Sequence, residues 1–271
     1  MRLSELGELG LLAELERRGL IVGVEHDAAQ LEDGLVVTQD ALVEDVHFRP
    51  EWIGFRDLGW RAAAVNLSDL AASGADARAL IVTLAAPRWT RVEDVVELYE
   101  GMRETGVPIV GGDTTAAAAI VLSVTAVGRS ERVPGRAGAR PGDVLVVTGP
   151  LGAAGAAFRA QRYVRPPLRL AEGRRLAARA HAMLDVSDGL AVDAAHIARR
   201  SRVRCVIDLE RVPLAEGARL EDLGFGEDFE LLAAVEEPGG LPIVGRVEEG
   251  EGVDILLRGE PYELRGWEHF A

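Results

Sequence analysis

The stretch that most constrains the fold is an almost uncharged run at 65–75 that contains one carboxylate, Asp69. Val65, Leu70 and the alanines beside them are spaced for a helix that packs closely against a sheet, and Gly74 is suited to ending that helix. A charged aspartate in so apolar a run is costly to bury unless a partner neutralises it. The sequence therefore predicts a buried helix whose Asp69 faces either an arginine or a metal ion.

Composition narrows the class of protein. The chain has 271 residues, 48% of them hydrophobic, which suits a full core in one large or two medium domains. A net charge of −14 argues against binding to a nucleic-acid backbone. The sequence shows neither an apolar run of membrane-spanning length nor the apolar core of a signal peptide, so we expect a cytoplasmic protein without a membrane partner.

Lysine and cysteine usage exclude several chemistries. All 30 basic residues are arginine, which rules out a lysine Schiff base and a lysine-dependent phosphate loop. The single cysteine, Cys205, rules out an internal disulfide and a cysteine-rich zinc site, and its apolar strand pattern predicts a buried, inert thiol. If this chain handles phosphate, then arginine, backbone N–H groups and metal ions must neutralise the phosphate charge.

Apolar periodicity predicts two halves that each mix helices and strands. We place their boundary in a Gly-, Pro- and Arg-rich stretch, which gives an N-terminal domain of 1–134 and a C-terminal domain of 135–271. The predicted helices lie at 4–18, 56–74, 91–106, 168–182 and 191–200, with a further one after 152. The predicted strands lie at 20–24, 34–38, 80–84, 108–110, 118–127, 144–148 and 203–208, with two more near 230–247.

Aspartates recur where predicted strands end or helices begin. Each one alone is explained by helix capping or by a turn. Together they occupy the places where α/β proteins gather ligands, and many carboxylates without lysine suit a hard cation such as Mg2+. Because Mg2+ usually shares its coordination with substrate phosphates, the pattern indicates nucleotide phosphate chemistry. These residues are Asp27, Asp40, Asp69, Asp113, Asp185 and Asp188.

Other site chemistries fit the sequence less well. Five scattered histidines give no zinc-ligand spacing, and there is no Gly-x-Ser-x-Gly motif of a serine hydrolase. The turn at 149–155 has Pro150 where a dinucleotide-binding turn needs glycine, which favours a plain strand-to-helix turn. His47, Glu227 and Trp267 also have structural explanations: a hydrogen-bonded strand-end histidine, a solvated turn and an anchor for the tail.

Taken in order, the segments resemble the thiamine-monophosphate kinase family of the aminoimidazole-ribonucleotide-synthetase-like superfamily. The resemblance implies two α/β halves, with an N-terminal sheet that forms a barrel with a second copy in a homodimer. It also implies magnesium-assisted, in-line transfer of phosphate from ATP to thiamine monophosphate, the last step of thiamine diphosphate biosynthesis. The matching residues lie at 3–8, 37–48, 65–72, 111–114, 185–190, 226–231, 245–247 and 266–270.

The resemblance further implies roles for individual residues. Several Mg2+ ions would be held by Asp27, Thr38, Gln39, Asp40, Asp69, Asp113, Asp185 and Asp188. Among these, the catalytic residues would be Asp40, Asp69 and Asp185. ATP would be bound by Tyr99, Gly112, Asp113, Arg136 and Ser187. Thiamine monophosphate would be bound by His47, Glu227 and Trp267.

The chain departs from the family pattern at a few positions. His26 stands where the family has an acidic residue, Gln39 where it has threonine, and Asp45 and Phe225 where it has glycine. Other branches of the superfamily are disfavoured, because selenophosphate synthetases and aminoimidazole ribonucleotide synthetases use a lysine, and the hydrogenase-maturation dehydratase ends in a reactive cysteine. The alternative that stays open is a binder of nucleotide or thiamine phosphate that has lost turnover.

Overall fold

Two β-sheets with helices around them make up residues 2–22 and 26–267, the part of the chain that the computed structural model describes. The helices are α1 (Leu3–Arg17), α2 (Phe55–Ala72), α3 (Val92–Arg103), α4 (Ala153–Arg159), α5 (Leu170–Ala177) and α6 (Leu190–Ser201). The strands are β1 (Ala29–Gln30), β2 (Leu35–Val43), β3 (Asp76–Ala86), β4 (Ile109–Ala116), β5 (Val121–Arg129), β6 (Val144–Val147), β7 (Ala182–Asp185), β8 (Arg204–Asp208), β9 (Leu231–Val235), β10 (Ile243–Glu248), β11 (Gly252–Leu257) and β12 (Glu260–Pro261). The mixed α/β class that the sequence predicts is confirmed.

The first sheet has the strand order β1-β2-β5-β3-β4. β5 pairs antiparallel with β2 and with β3, whereas β3 and β4 run parallel. Buried residues alternate along β5, where Leu122 and Val124 pack against the Leu67 and Leu70 side chains of α2 in one core. β4 is exposed along most of its length and forms one edge of this sheet.

The second sheet has the order β12-β11-β8-β10-β6-β9-β7. Strands β7 and β9 are buried on both faces, which agrees with their continuous apolar sequences. On one face Leu184 packs with Ile197 of α6, and on the other Met183 packs with Leu176 of α5. The predicted domain boundary at 134/135 lies in the stretch that connects β5 of the first sheet to β6 of the second.

Helix α2 lies between the two sheets. Its Leu70 belongs to the core of the first sheet, and the next residue, Ala71, packs with Met183 of the second. The approach is close, since a Cβ atom built on Gly173 of α5 would lie 2.1 Å from the Ala71 carbonyl oxygen. Gly74 follows the helix with φ of +62°. The predicted buried helix is thus confirmed, and it is covered from two sides rather than one.

Several sequence predictions of local structure are wrong. Asp40 and Asp113 lie inside β2 and β4 rather than after them, because backbone pairing with the neighbouring strands continues through these polar residues. The helix predicted at 168–182 ends at Ala177, because the apolar residues after 181 join the second sheet as β7. No strand forms at 20–22, and the rest of the strand predicted there falls on residues outside the described ranges.

Two predictions from composition can be compared with the structure. Cys205 is buried in β8 as predicted, and burial raises the pKa of its thiol to about 12, which agrees with the prediction of an inert thiol. Over residues 2–22 and 26–267, no helix has both the length and the apolar character needed to cross a membrane.

Candidate active site

A cavity of about 760 Å³ opens where α2 and β2 of the first half face the loops after β7 and before β9 in the second half. This volume is in the usual range for a small-molecule site. It collects most of the predicted site residues: Asp27, Thr38, Gln39, Asp40, His47, Asp69, Arg136, Asp185, Ser187, Asp188, Glu227 and Trp267.

One end of the cavity is acidic, and we call its five aspartates, Asp27, Asp40, Asp69, Asp185 and Asp188, the acidic group. They come from separate parts of the chain: the segment before β1, strand β2, the last turns of α2, the end of β7 and the turn before α6. Both halves contribute to the group. It therefore exists only once the two sheets are assembled around α2.

Neighbouring hydroxyl groups orient two of these carboxylates. Thr38 donates a hydrogen bond of 2.5 Å from Oγ1 to Oδ2 of Asp69, and Ser68 donates one of 2.5 Å from Oγ to Oδ2 of Asp185. The second bond joins α2 to the end of β7. Because Ser68 and Asp69 are consecutive, this turn of α2 holds both carboxylates in place.

Two further contacts hold Asp27 and the backbone of Asp40 in place. Arg136 donates from Nε and Nη2 to one carboxylate oxygen of Asp27, at 2.9 and 2.7 Å. The backbone N–H of Asp40 donates to Oδ1 of Asn66 at 3.0 Å, which ties β2 to α2. The predicted ATP-binding arginine is thus paired with a predicted metal ligand.

The acidic group carries more negative charge than its surroundings neutralise. Burial, with repulsion from Asp40 and Asp185, raises the pKa of Asp69 well above its usual range. Burial and repulsion from Asp27 raise the pKa of Asp185 to about 8. A bound cation would relieve both effects, because it attracts the ionised carboxylates and replaces part of their lost solvation.

The chemical types of these donors suit magnesium. The side chains offer carboxylate and hydroxyl oxygens and no thiol, which suits a hard divalent cation. Within the described ranges, no three acidic, histidine or cysteine side chains are arranged so that they could hold a metal ion. Several of the aspartates are instead engaged by arginine or hydroxyl groups. The donor types therefore suit Mg2+, which usually completes its coordination with water and substrate oxygens, but their arrangement in the described chain does not form a metal site.

The other end of the cavity is organised by Arg61 of α2, which the sequence analysis missed. Its side chain is only 2% exposed. Nη1 donates to the His47 carbonyl oxygen at 2.7 Å, Nη2 donates to the Glu227 carboxylate, and the guanidinium carbon lies 4.6 Å from the centre of the Tyr163 ring. Arg61 could have been found from the sequence, because it is a charged residue in an apolar helix. The same reasoning identifies Asp69.

The loop that carries Glu227 is pinned to the loop that carries Ser187. The backbone N–H of Glu227 donates to the Ser187 carbonyl oxygen at 2.8 Å, and Gly226 and Glu227 have φ of +80° and +57°. A Cβ atom on Gly226 would lie 2.2 Å from that same oxygen, so only glycine fits there. The alternative of a solvated turn at Glu227 is therefore wrong.

His47 and Trp267 have both a structural contact and a place in the cavity. The ring nitrogen Nδ1 of His47 accepts a hydrogen bond from the backbone N–H of Val43 at 3.1 Å, which agrees with the hydrogen-bonded histidine considered for it. The backbone N–H of Trp267 donates to the Asp188 carbonyl oxygen at 2.9 Å, which anchors the tail beside the acidic group. Neither contact prevents the side chain from lining the cavity.

The cavity is also lined by Phe158, Tyr163 and Phe225, which the sequence analysis did not select. Aromatic residues make up only 5% of the chain, so their concentration at one site is notable. Phe225 carried a signal, because it departs from a glycine of the family pattern.

Three of the predicted ATP-site residues do not line this cavity. Gly112 and Asp113 lie on the exposed edge strand β4, and Tyr99 of α3 lies beside a shallow groove with Thr114 and Thr115. Within one chain, the structure therefore does not bring these three to the acidic group. Their roles in binding ATP stay predictions.

The chain matches two family models that together span most of its length. Residues 25–130 match that of the AIR synthase related protein, N-terminal domain, and residues 140–258 match that of the C-terminal domain.

Full-length relatives agree with this match. The chain is 34% identical to the thiamine-monophosphate kinase of Aquifex aeolicus over all of both chains, and 36% identical to that of Mycobacterium tuberculosis over 99% of this chain and 93% of the relative. Among solved structures, AaThiL complexed with AMPPCP and TMP is 33% identical and superposes with a TM-score of 0.91 over 99% of each chain. The chain therefore belongs to the AIR synthase related family, and within it to the thiamine-monophosphate kinases.

Proposed function

We propose that the chain uses ATP to phosphorylate thiamine monophosphate, and that it catalyses the last step of thiamine diphosphate biosynthesis. The observation that carries the proposal is one cavity that joins the acidic group to His47, Glu227 and Trp267. The first end suits phosphates with bound cations, and the second suits an organic cation. Full-length similarity to thiamine-monophosphate kinases, one of them complexed with AMPPCP and TMP, supports the same two substrates.

The roles at the acidic end follow from its chemistry. Asp40, Asp69 and Asp185 would hold Mg2+ ions as the catalytic carboxylates, with Asp27 and Asp188 and the side-chain oxygens of Thr38 and Gln39 as further ligands. Bound magnesium would neutralise phosphate charge and keep the donor and acceptor phosphates in line.

The remaining residues bind and orient the substrates. Arg136 presents two N–H donors, now on Asp27, that match the geometry of a phosphate, and Ser187 lines the same cavity. The acceptor is a phosphate that is already anionic at neutral pH, so no strong general base is required. His47, Glu227 and Trp267 would hold the organic end of thiamine monophosphate, with Trp267 available to stack on a ring.

We further propose that the protein works as a homodimer in the cytoplasm. Edge strand β4 is exposed, with Val110 63% and neighbouring Ile81 of β3 40% accessible, and such edges are usually covered in stable proteins. If the first sheets of two copies close into a barrel along β4, a second copy can supply Tyr99, Gly112 and Asp113. This arrangement would reconcile their predicted ATP roles with their distance from the cavity of their own chain.

A coupled assay for thiamine diphosphate, with ATP and thiamine monophosphate present and magnesium titrated from zero, tests the function. We expect product that depends on magnesium. Absence of product in a protein that still binds ATP with magnesium would favour a silent binder, and His26→Asp would then be the first variant to test for regained turnover.

A further inference from the structure

We propose that Phe158 and Phe225 form a ring-binding wall that recognises the flat, cationic heteroaromatic ring of the phosphate acceptor. The inference rests on the proposed function, because it assigns the part of the cavity that holds the organic end of that substrate. It adds two specificity residues that the sequence analysis did not select.

The wall is built from separate elements that meet at the cavity. Phe158 is near the end of α4, and Phe225 follows the 3-10 turn Leu220–Gly224. Their ring centres are 4.8 Å apart with the planes tilted by 36°, and Trp52 of the first half supports Phe158 edge-on at 5.4 Å. Three aromatic rings in contact form a rigid apolar surface, because each ring restricts the rotation of the next.

Both wall residues line the cavity while remaining partly accessible. Phe158 is 37% exposed and Phe225 is half-buried. Two accessible phenylalanine rings in a cavity that is also lined by carboxylates leave apolar surface in contact with water. A ligand ring that covered them would remove that surface from water, so the site gains apolar burial when it is filled.

The faces of the neighbouring rings are already occupied. The guanidinium of Arg49 lies 4.6 Å from the centre of the Trp52 ring, and that of Arg61 lies 4.6 Å from the centre of the Tyr163 ring. No such arginine contact involves Phe158 or Phe225 in the described part of the chain. The two phenylalanines therefore still offer their negative π-faces to a cationic ligand.

Two carboxylates and one buried arginine lie near the wall, and this excess of negative charge favours a cation over a neutral ring. Glu227 follows Phe225 by two residues, is held by Arg61, and is close enough to Asp188 that the two carboxylates repel each other. Asp188 belongs to the acidic group, so the two ends of the cavity meet at this pair. A ligand with a cationic ring at the wall and a phosphate near the acidic group would complement both ends at once.

Substitution of either ring tests the wall. We expect Phe158→Ala and Phe225→Ala each to weaken thiamine monophosphate about 3- to 10-fold, in KM and in Kd measured by calorimetry with magnesium. Affinity for the ATP analogue AMPPCP should change less than twofold. Phe158→Tyr and Phe225→Tyr keep a π-face and should restore affinity for thiamine monophosphate, whereas Phe225→Leu keeps apolar volume without a π-face and should not.

Trp89→Ala serves as the matched control, because Trp89 is 79% exposed and does not line the cavity. Thermal unfolding checks that each variant folds. The wall would be overturned if Phe225→Leu bound thiamine monophosphate like the wild type, if both ligands were weakened equally, or if only AMPPCP were weakened. If the alanine variants turn over thiamine monophosphate at the wild-type rate, the proposed role of the wall is wrong and the proposed kinase activity stands. If binding of thiamine monophosphate depends on the two phenylalanine rings but no product forms, the proposed kinase activity is wrong and the proposed role of the wall stands.

Discussion

At the scale of single residues, the charge of Asp69 lowers the stability of the fold but is proposed to bind a metal ion. Its carboxylate accepts a hydrogen bond from Thr38, but burial and three neighbouring aspartates disfavour its charge. A protein that kept such a group for folding alone would gain by replacing it with a neutral one. The charge is therefore best explained by a ligand that needs it.

Asp69→Asn should separate these two effects. The amide oxygen can still accept from Thr38 and the repulsion is removed, so we expect the free energy of unfolding to stay equal or rise. We expect the rate of thiamine diphosphate formation to fall at least about 100-fold, because a charged ligand at the phosphates is lost. Denaturant unfolding and the coupled assay measure the two quantities.

The control for this substitution is Asp33→Asn, at an exposed position with φ of +57°, which asparagine adopts readily. It should leave both quantities unchanged. A near-normal rate in Asp69→Asn would remove Asp69 from the proposed metal site.

Sequence reasoning reached the acidic group but not the aromatic end, and the reason is physical. Asp69 stands out in an apolar helix, and the other aspartates follow recognisable strand and turn patterns. Phe158 looks like an ordinary core residue along the chain, and Phe225 shows only a departure from a family glycine, since their contact arises only when α4 and the loop after Leu220–Gly224 bring the rings to one cavity. Arg61, like Asp69, is a charged residue in an apolar helix. It was missed because the basic residues were considered only as part of the overall composition.

At the scale of elements, helix α4 depends on a carboxylate far away in sequence. Asp228 is buried, and its two carboxylate oxygens accept from the backbone N–H groups of Gly152 at 2.6 Å and Ala154 at 3.3 Å. It therefore caps the start of α4, whose own first residues carry no capping side chain. We expect Asp228→Ala to lower the free energy of unfolding by about 1–3 kcal/mol, measured in urea.

Asp228 also makes stability depend on pH. Burial raises its pKa to about 6 in the folded chain, above the value near 4 of an unfolded aspartate. Its contribution to stability is therefore full below about pH 4 and is lost as the pH rises through 6. Asp228→Asn does not titrate, so the wild type should lose on the order of 1–3 kcal/mol relative to this variant between pH 4 and 6. A constant difference across that range would contradict the raised pKa.

Helices α2 and α3 pack at a distance that a methyl group cannot enter. A Cβ atom on Gly101 of α3 would lie 1.9 Å from the Arg56 carbonyl oxygen of α2. Gly101→Ala should therefore force the helices apart and lower the free energy of unfolding by about 1–3 kcal/mol in a urea titration. Glu97→Ala, at an exposed position of the same helix, should change it by less than about 0.5 kcal/mol.

The errors in the predicted elements share one cause. Local sequence marks where apolar runs begin, but the ends of β2 and β4 are set by partners that continue to pair through polar residues. The same applies to β7, whose short apolar segment after 181 becomes a strand because β9 lies beside it. Tertiary pairing, which no local pattern records, decided these boundaries.

At the scale of the whole molecule, the proposed dimer predicts complementation between two inactive variants. Asp69→Asn disables the acidic group of its own chain, and Asp113→Asn would disable a residue lent to the other copy. In a randomly mixed pair, half of the dimers are mixed and each regains one intact site, so activity should return to about a quarter of wild type. Mixing after mild unfolding, followed by the coupled assay and light scattering, tests this.

Two results would contradict that prediction. Mixed samples that stay inactive although they are dimeric would mean that both residues act within one chain, whereas an Asp113→Asn variant that is active alone would mean that Asp113 is dispensable. An active monomer would remove the dimer from the mechanism altogether. Either variant alone, taken through the same mixing, is the control and should stay inactive.

The position of α2 between the two sheets bears on how such a protein can evolve. One helix contributes Leu70 to one core and Ala71 to the other, and it places Asp69 in the acidic group and Arg61 against the cavity residues His47 and Glu227. Recombination that joined the first half of one relative to the second half of another would set this helix against a foreign sheet. We therefore expect chimeras of the two halves to fail unless α2 is exchanged together with the strands it touches, so that the halves are inherited as one unit.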